Sequence, residues 1–248
     1  MKLTFLGTGH GIGTPERACS SILLESRGSL YLIDGGGDLG VKIRAAGYAP
    51  ASVKAIFTTH AHADHIGGLY QLIDLFNWAR ECAETQVDIF FTEIAVARTM
   101  EKLVSITTKP LDCKRIRLRV AAEGSVFEDE NLRVTYFPTA HLAPLSRPSY
   151  GILIECEGKR LYFSGDLSQG LVGNDFPALP MMLPVDIFVL ELAHFGPEHI
   201  AEYLPRINAK RLVFNHVSPI AKYAEINSIK GKYKYEVLTP SDMDVIEI

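Results

Sequence analysis

Between Phe57 and Gly68 the chain reads FTTHAHADHIGG, which places His60, His62, Asp64 and His65 within six positions. Two imidazoles one residue apart can converge on a single cation where the backbone is extended, leaving Asp64 and His65 to point elsewhere. A carboxylate oxygen among imidazoles suits zinc, manganese or iron better than calcium or magnesium alone. The crowding exceeds what one ion uses and suggests two adjacent ions. His141 in VTYFPTAH, Asp166 in LYFSGD and His216 in LVFNH bring the set to seven. Two divalent ions roughly 3.5 to 4 Å apart would share a hydroxide, polarise an electrophilic centre and steady the leaving oxygen of an ester. That chemistry is hydrolysis.

Each of these residues follows a short apolar run, and such runs read as strands: VKAIFTTH, LRVTYFPTAH, KRLYFSGD and KRLVFNHVSP. A sheet fixes where the loops at its strand ends point, so ligands at several strand ends can meet at one edge. KLTFLG, SSILLES and SLYLIDGGG read as neighbouring strands joined by tight turns, with a short helix over 38–47. Apolar residues at helical spacing over IGGLYQLIDLFNWARECA put Leu69, Leu72, Ile73 and Phe76 on one face, so FTTHAHADHIGG is a strand-to-helix junction. VDIFFT, RIRLRV, YGILIEC and VDIFVLELAH add strands, while EIAVARTMEKLVSI and PEHIAEYLPRI add helices.

At 248 residues, 47% of them hydrophobic, the chain is expected to form one α/β domain spanning 1–248. The net charge of −4 is spread without a basic block, which weakens a nucleic-acid reading and leaves it secondary. Cys19, Cys82, Cys113 and Cys156 lie far apart with no C-x-x-C pair, so neither a zinc ribbon nor a disulfide framework is indicated. The opening MKLTFLGTGHGIG falls short of a signal segment or a membrane span, and a cytoplasmic protein is the simplest expectation.

THAHADH, TAH, SGD and NH in this order resemble the metallo-β-lactamase superfamily, whose fold is a four-layer αββα sandwich. FLGTGHGIGTPERACSSILLE, with the IDGG turn at Ile33–Gly36, is similar to the start of ribonuclease Z-type members. The resemblance implies His60, His62 and His141 on a first metal, Asp64, His65 and His216 on a second, and Asp166 bridging. It implies two divalent ions, zinc in the first place, with manganese or iron on the same ligands in other members. It also implies that Asp64 touches the attacking metal-bridging hydroxide and so serves as ligand and orienting base together. Asp34, at the matching strand end, would support the ligands by accepting a ring N–H from a metal histidine.

Two departures accompany the match. Ribonuclease Z carries a long basic, glycine-rich arm that clamps precursor tRNA. Here only LAPLSRPSYGILIECEGKRLYFSG separates His141 from Asp166, which makes tRNA 3′ processing less favoured. In LELAHFGPEHI, His194 resembles a compressed version of the histidine that stands over the leaving group. Its expected role is charge stabilisation or general acid catalysis, with Glu191 as its orienter; packing beside Phe195 is the competing reading.

His10 in GTGHGIG can approach the site or simply face solvent, and His199 reads as a surface residue. The glycine-rich turn is followed by another strand instead of a helix, which argues against a nucleotide-binding fold. The leading expectation is a dinuclear metal-dependent hydrolase, of phosphodiesterase type, for a phosphodiester or related small ester. Thioester hydrolysis and a non-catalytic, metal-holding sensory module are the alternatives, the former disfavoured because residues 217–248 look short and strand-like. Export-type β-lactam cleavage is disfavoured by the start of the chain. Pocket walls drawn from Leu142–Tyr150, Phe195 and SPIAKYAEI carry Arg147 and Lys222, so the expected partner is a small anionic ester. No membrane partner is expected, and pairing as a homodimer stays open.

Overall fold

The computed structural model describes residues 1–248. Its first unit, Met1–Ala121 with Ser241–Ile248, opens with three antiparallel strands, β1 (Lys2–Gly7), β2 (Ser21–Ser26) and β3 (Ser29–Ile33). Arg27 and Gly28 make the β2–β3 turn at φ 50° and 79°. Positive φ at both central residues is what a two-residue turn needs to match the twist of its strands. From α1 (Leu39–Ala45) and β4 (Val53–Phe57) onward, helix and strand alternate: α2 (Ala63–Ile66), α3 (Leu69–Trp78), β5 (Val87–Phe91), α4 (Ile94–Thr107) and β6 (Ile116–Val120). β3 to β6 therefore pair in parallel, because a crossover returns the chain in the same direction.

The second unit, Ala122–Pro240, runs antiparallel through β7 (Gly124–Glu128), β8 (Leu132–Pro138), β9 (Tyr150–Cys156) and β10 (Lys159–Phe163). It then runs parallel through α5 (Leu179–Met182), β11 (Val185–Leu192), α6 (Pro197–Ile200), β12 (Ala209–Val217), α7 (Lys222–Ile229) and β13 (Glu236–Leu238). Finally β14 (Val245–Glu247) pairs with β1 in the first unit. The sheet orders are β14-β1-β2-β3-β4-β5-β6 and β13-β12-β11-β10-β9-β8-β7.

Each sheet is held by its own apolar cluster. In the first unit Leu6, Leu32, Ile56 and Ile89 meet Leu39, Leu72, Phe76 and Val104 from the helices. Phe188, Leu190, Leu212 and Phe214 meet Ile200, Leu204 and Ile226 in the second. Full burial of one such side chain is worth about 1.5–3 kcal/mol. Strand direction then sets where the loops gather. β8, β10, β11 and β12 all run the same way, so their C-terminal ends share one edge. β3 and β4 likewise end together.

Several expectations are corrected. The helix expected from Ile66 to Ala83 is broken at Gly67 and Gly68 and stops at Trp78. The helix expected over PEHIAEYLPRI ends at Ile200, and Leu204–Arg206 forms a separate 3-10 turn that contains Pro205, which lacks the N–H a continuing α-helix would use. Residues after Val217 are not strand-like throughout. Before β13 and β14 they form α7, which buries only Ile226 and so shows little apolar periodicity in sequence. No helix is long and apolar enough to cross a membrane.

Candidate metal centre

In the first unit, β4 ends at Phe57, the chain bends at Thr59, and His62, the residue preceding α2, is extended (φ −71°, ψ 150°). The rings of His60 and His62 meet edge to face, their centroids 4.7 Å apart, while those of His60 and His65 are 4.1 Å apart. Asp64 and His65 lie in the single turn of α2, and His65 Nε2 stands 3.6 Å from Asp64 Oδ2. His65 is held from behind. Its Nδ1 lies 2.7 Å from Asp34 Oδ2, and the same carboxylate accepts Thr59 N at 2.8 Å. Nδ1 of His65 is thereby the protonated nitrogen, and Nε2 carries the lone pair a metal ion would use. Asp34 reaches this position with φ 58°, a conformation uncommon for a side chain other than glycine.

Glycines let the two loops of this half-site interlock. A Cβ on Gly36 would sit 1.7 Å from the carbonyl oxygen of Asp64, and one on Gly68 1.7 Å from that of Gly37. Backbone hydrogen bonds close the contact, Gly35 N to His65 O at 2.6 Å and Gly68 N to Gly35 O at 2.8 Å. The loop after β1 also arrives here, since a Cβ on Gly11 would come 3.3 Å from Asp64 Oδ2. Within that loop His10 Nδ1 accepts Ile12 N at 3.4 Å. Cys19 sits in the same corner, and burial, aided by the Asp64 charge, pushes its thiol up.

In the second unit the ligand-type residues come from different strand ends. Asp166, past β10, is buried between imidazoles: His216 Nδ1 stands 3.7 Å from Oδ1, while His141 Nε2 and His194 Nδ1 each stand 3.8 Å from Oδ2. His141 Nδ1 is bonded to the carbonyl of Leu167 at 3.1 Å, which again leaves Nε2 as the facing atom. His216 is the extra residue of a bulge, since Glu191 pairs with Asn215 and Leu192 with Val217. With φ 53°, the bulge re-aims its side chain, as such irregularities do beside functional sites. His216 therefore lies within β12, one residue before its end.

Glu191, buried on β11, holds the next turn: it accepts Ala193 N at 2.7 Å, Leu167 N at 2.8 Å and meets His194 Nδ1 at 2.9 Å. One ligand atom from each of Asp166, Glu191, His194 and His216 lies within 4.8 Å of the others. His194 is set apart by exposure, 24% of its side chain against 8% for His141, 5% for His216 and 2% for Asp166.

The donor set fits divalent metal. Two ligands about 2.0–2.2 Å from one tetrahedral ion stand about 3.3–3.6 Å apart. The Asp166–imidazole separations of 3.7 and 3.8 Å are slightly wider than that and longer than hydrogen bonds.

Asp175 gave no signal in sequence and braces this half-site. It accepts Ala140 N at 2.7 Å and Ser168 N at 2.6 Å, so one carboxylate holds the loops bearing His141 and Asp166. Thr139 adds a second tie, through its hydroxyl, to Asp166 O at 3.0 Å. Lys222, expected on a wall facing an anionic substrate, instead donates to the carbonyls of Leu192 and Phe195. His199 lies at the surface, bonded to Gly196 N.

The family model described as "Anti-Pycsar protein Apyc1" matches residues 1–171. The chain belongs to that family. It is similar to a ribonuclease Z of Shouchella clausii, 35% identical over 144 residues, which cover 57% of this chain and 45% of the relative. The chain spans about half the length of the curated relatives it matches. Among solved structures, the short form of human tRNase Z has a TM-score of 0.74 at 22% identity, covering 100% of this chain and 99% of the other. A diphosphatase from the PhnP family has a TM-score of 0.75 at 20% identity, covering 100% and 97%. In sequence the chain is thus similar to ribonuclease Z proteins, and it shares the metallo-β-lactamase fold of these solved structures.

Proposed function

We propose that the chain is a metal-dependent hydrolase carrying two divalent ions, zinc first, and that it cleaves a phosphodiester or related small anionic ester. The observation that carries this reading is Asp166, a carboxylate 2% exposed with imidazoles 3.7–3.8 Å from both of its oxygens. In water-poor surroundings such a group is costly unless a cation shares it. We take residues 1–248 as one domain, with His60, His62 and His141 for one ion, Asp64, His65 and His216 for the other, and Asp166 between them. The ions, when bound, would supply Lewis-acid polarisation and an activated water at neutral pH.

The chain's own residues do the rest. Asp64 orients the attacking water while serving as a ligand. His194, held at Nδ1 by Glu191 and more exposed than His141, Asp166 and His216, offers Nε2 to the leaving oxygen as a general acid. The hairpin of β9 and β10 occupies the stretch between His141 and Asp166, which keeps tRNA 3′ processing the less favoured substrate.

The test is metal content by elemental analysis, followed by turnover of bis-p-nitrophenyl phosphate, cyclic nucleotides, thioesters and a tRNA precursor before and after chelation. We expect two metal equivalents and a phosphodiesterase activity abolished by chelator and restored by zinc. Less than one equivalent, or hydrolysis indifferent to chelation, would overturn the reading; turnover of the thioester alone would reassign the substrate.

A further inference from the structure

The turn carrying His194 has all four of its carbonyls engaged. Lys222 Nζ donates to Leu192 O at 2.8 Å, Ala193 O at 3.3 Å and Phe195 O at 2.6 Å. The remaining one, His194 O, accepts Gly170 N at 2.9 Å. An ammonium has three N–H donors, and here all three are spent on one turn. The other side of that turn is gripped by Glu191, which accepts the N–H groups of Ala193 and His194 at 2.7 and 3.2 Å. A cation and a carboxylate thus hold the two polar faces of residues 192–195.

The position of Lys222 is itself informative. It is the first residue of α7, where the helix dipole disfavours a positive charge. Burial also pulls its ammonium down from the ordinary lysine range. Surface solubility does not account for a lysine placed against both effects. It borders the same cleft as His194, together with Glu198, His199 and Glu225.

We propose that Lys222 is a positioning residue, which clamps the carbonyls of residues 192, 193 and 195 so that His194 keeps the orientation set by Glu191. The inference rests on the general-acid reading of His194. It predicts a dependence on the leaving group. A sugar hydroxyl needs a proton as it departs, whereas nitrophenolate leaves without one.

The experiment compares the zinc-loaded wild type with Lys222→Met, Lys222→Arg and His194→Ala on bis-p-nitrophenyl phosphate and on a cyclic nucleotide. His194→Ala should lose about 10²–10⁴-fold in kcat on the cyclic nucleotide and far less on the nitrophenyl ester. Lys222→Met should show the same selective loss, about tenfold or more, with metal content unchanged, and Lys222→Arg should restore much of it. Equal losses on both substrates for Lys222→Met, beside a selective loss for His194→Ala, overturn the inference alone. A uniform loss for His194→Ala overturns the acid role and the inference with it. Histidine-selective NMR tests the clamp without turnover: Lys222→Met should move the His194 imidazole signal and leave those of His60 and His65 in place. An unmoved His194 signal overturns it. Lys222→Gln serves in the same measurements if the Met variant does not fold.

Discussion

The two units prepare the proposed metal ligands by opposite means. In the first, His60, His62, Asp64 and His65 are neighbours in sequence, and their turn is pressed backbone to backbone against the Asp34–Gly37 loop through Gly36 and Gly68. In the second, His141, Asp166 and His216 come from three separated strands, and the carboxylates of half-buried Asp175 and buried Glu191 accept backbone N–H groups that tie the His141 and Asp166 loops together. Local ligands need room for close backbone approach. Dispersed ligands need side chains that bridge loops.

The largest effect should follow from filling the backbone contact. Gly36→Ala places a methyl group 1.7 Å from Asp64 O, so one of the two loops must move. We expect a loss of roughly 3 kcal/mol, the upper end for overpacking, in urea unfolding of metal-free protein. Gly37 is the internal control. A Cβ there meets nothing closer than 3.5 Å, so Gly37→Ala should stay within about 0.5 kcal/mol of wild type. Similar unfolding for both variants would remove the backbone lock from the account of the first unit.

Asp34→Asn probes the carboxylate support of that turn. The amide keeps the size of the carboxylate but holds the His65 tautomer less firmly, which should weaken metal binding by roughly 10–100-fold. Competition with a chelator of known affinity reads this directly, and unchanged affinity would show that the turn does not depend on that carboxylate.

This contrast also explains what was legible in the sequence. FTTHAHADHIGG announced itself because its ligands are local, and TAH, SGD and NH followed because each ends an apolar strand. Asp175 was silent: NDFPAL has no periodicity, and its meaning arises only when the 140 and 168 loops approach it from positions 35 and 7 residues away. Lys222 was misjudged for a related reason. A lysine near a site suggests an anion partner, whereas the fold presents it with buried carbonyls first. The bulge that turns His216 is equally invisible, because the β12 pattern AKRLVFNHV reads as an unbroken strand.

Asp175→Asn tests the bridging carboxylate. One oxygen must become an N–H₂ group facing Ala140 N or Ser168 N, which leaves a partly buried donor against another donor, a cost of about 1–3 kcal/mol. Burial pushes the Asp175 carboxyl up even against those backbone bonds, so removing its charge returns part of that cost. The net loss should fall near the lower end, about 1 kcal/mol in thermal or urea unfolding. A loss as large as that of Gly36→Ala would mean that the second unit is as dependent on one contact as the first.

The smallest effect sharpens what kind of partner a buried carboxylate has. Asp88 on β5, 8% exposed, is also driven up by burial, yet Arg117, bonded at 2.8 and 2.6 Å, and Arg119 outweigh it and hold its carboxyl below the ordinary range. Guanidinium partners overcome desolvation at Asp88, whereas neutral N–H groups at Asp175 do not. The sign follows. A carboxyl depressed in the folded state binds its proton more weakly there than in the unfolded chain. Its contribution is therefore full above the unfolded value, near 4, and lost as pH falls through the folded one. Because both arginines are partly exposed, we expect no more than about 1 kcal/mol. The difference in unfolding free energy between wild type and Asp88→Asn should shrink between neutral pH and pH about 3. A difference that grows on acidification would reverse the assignment and make burial, as at Asp175, the dominant influence on both.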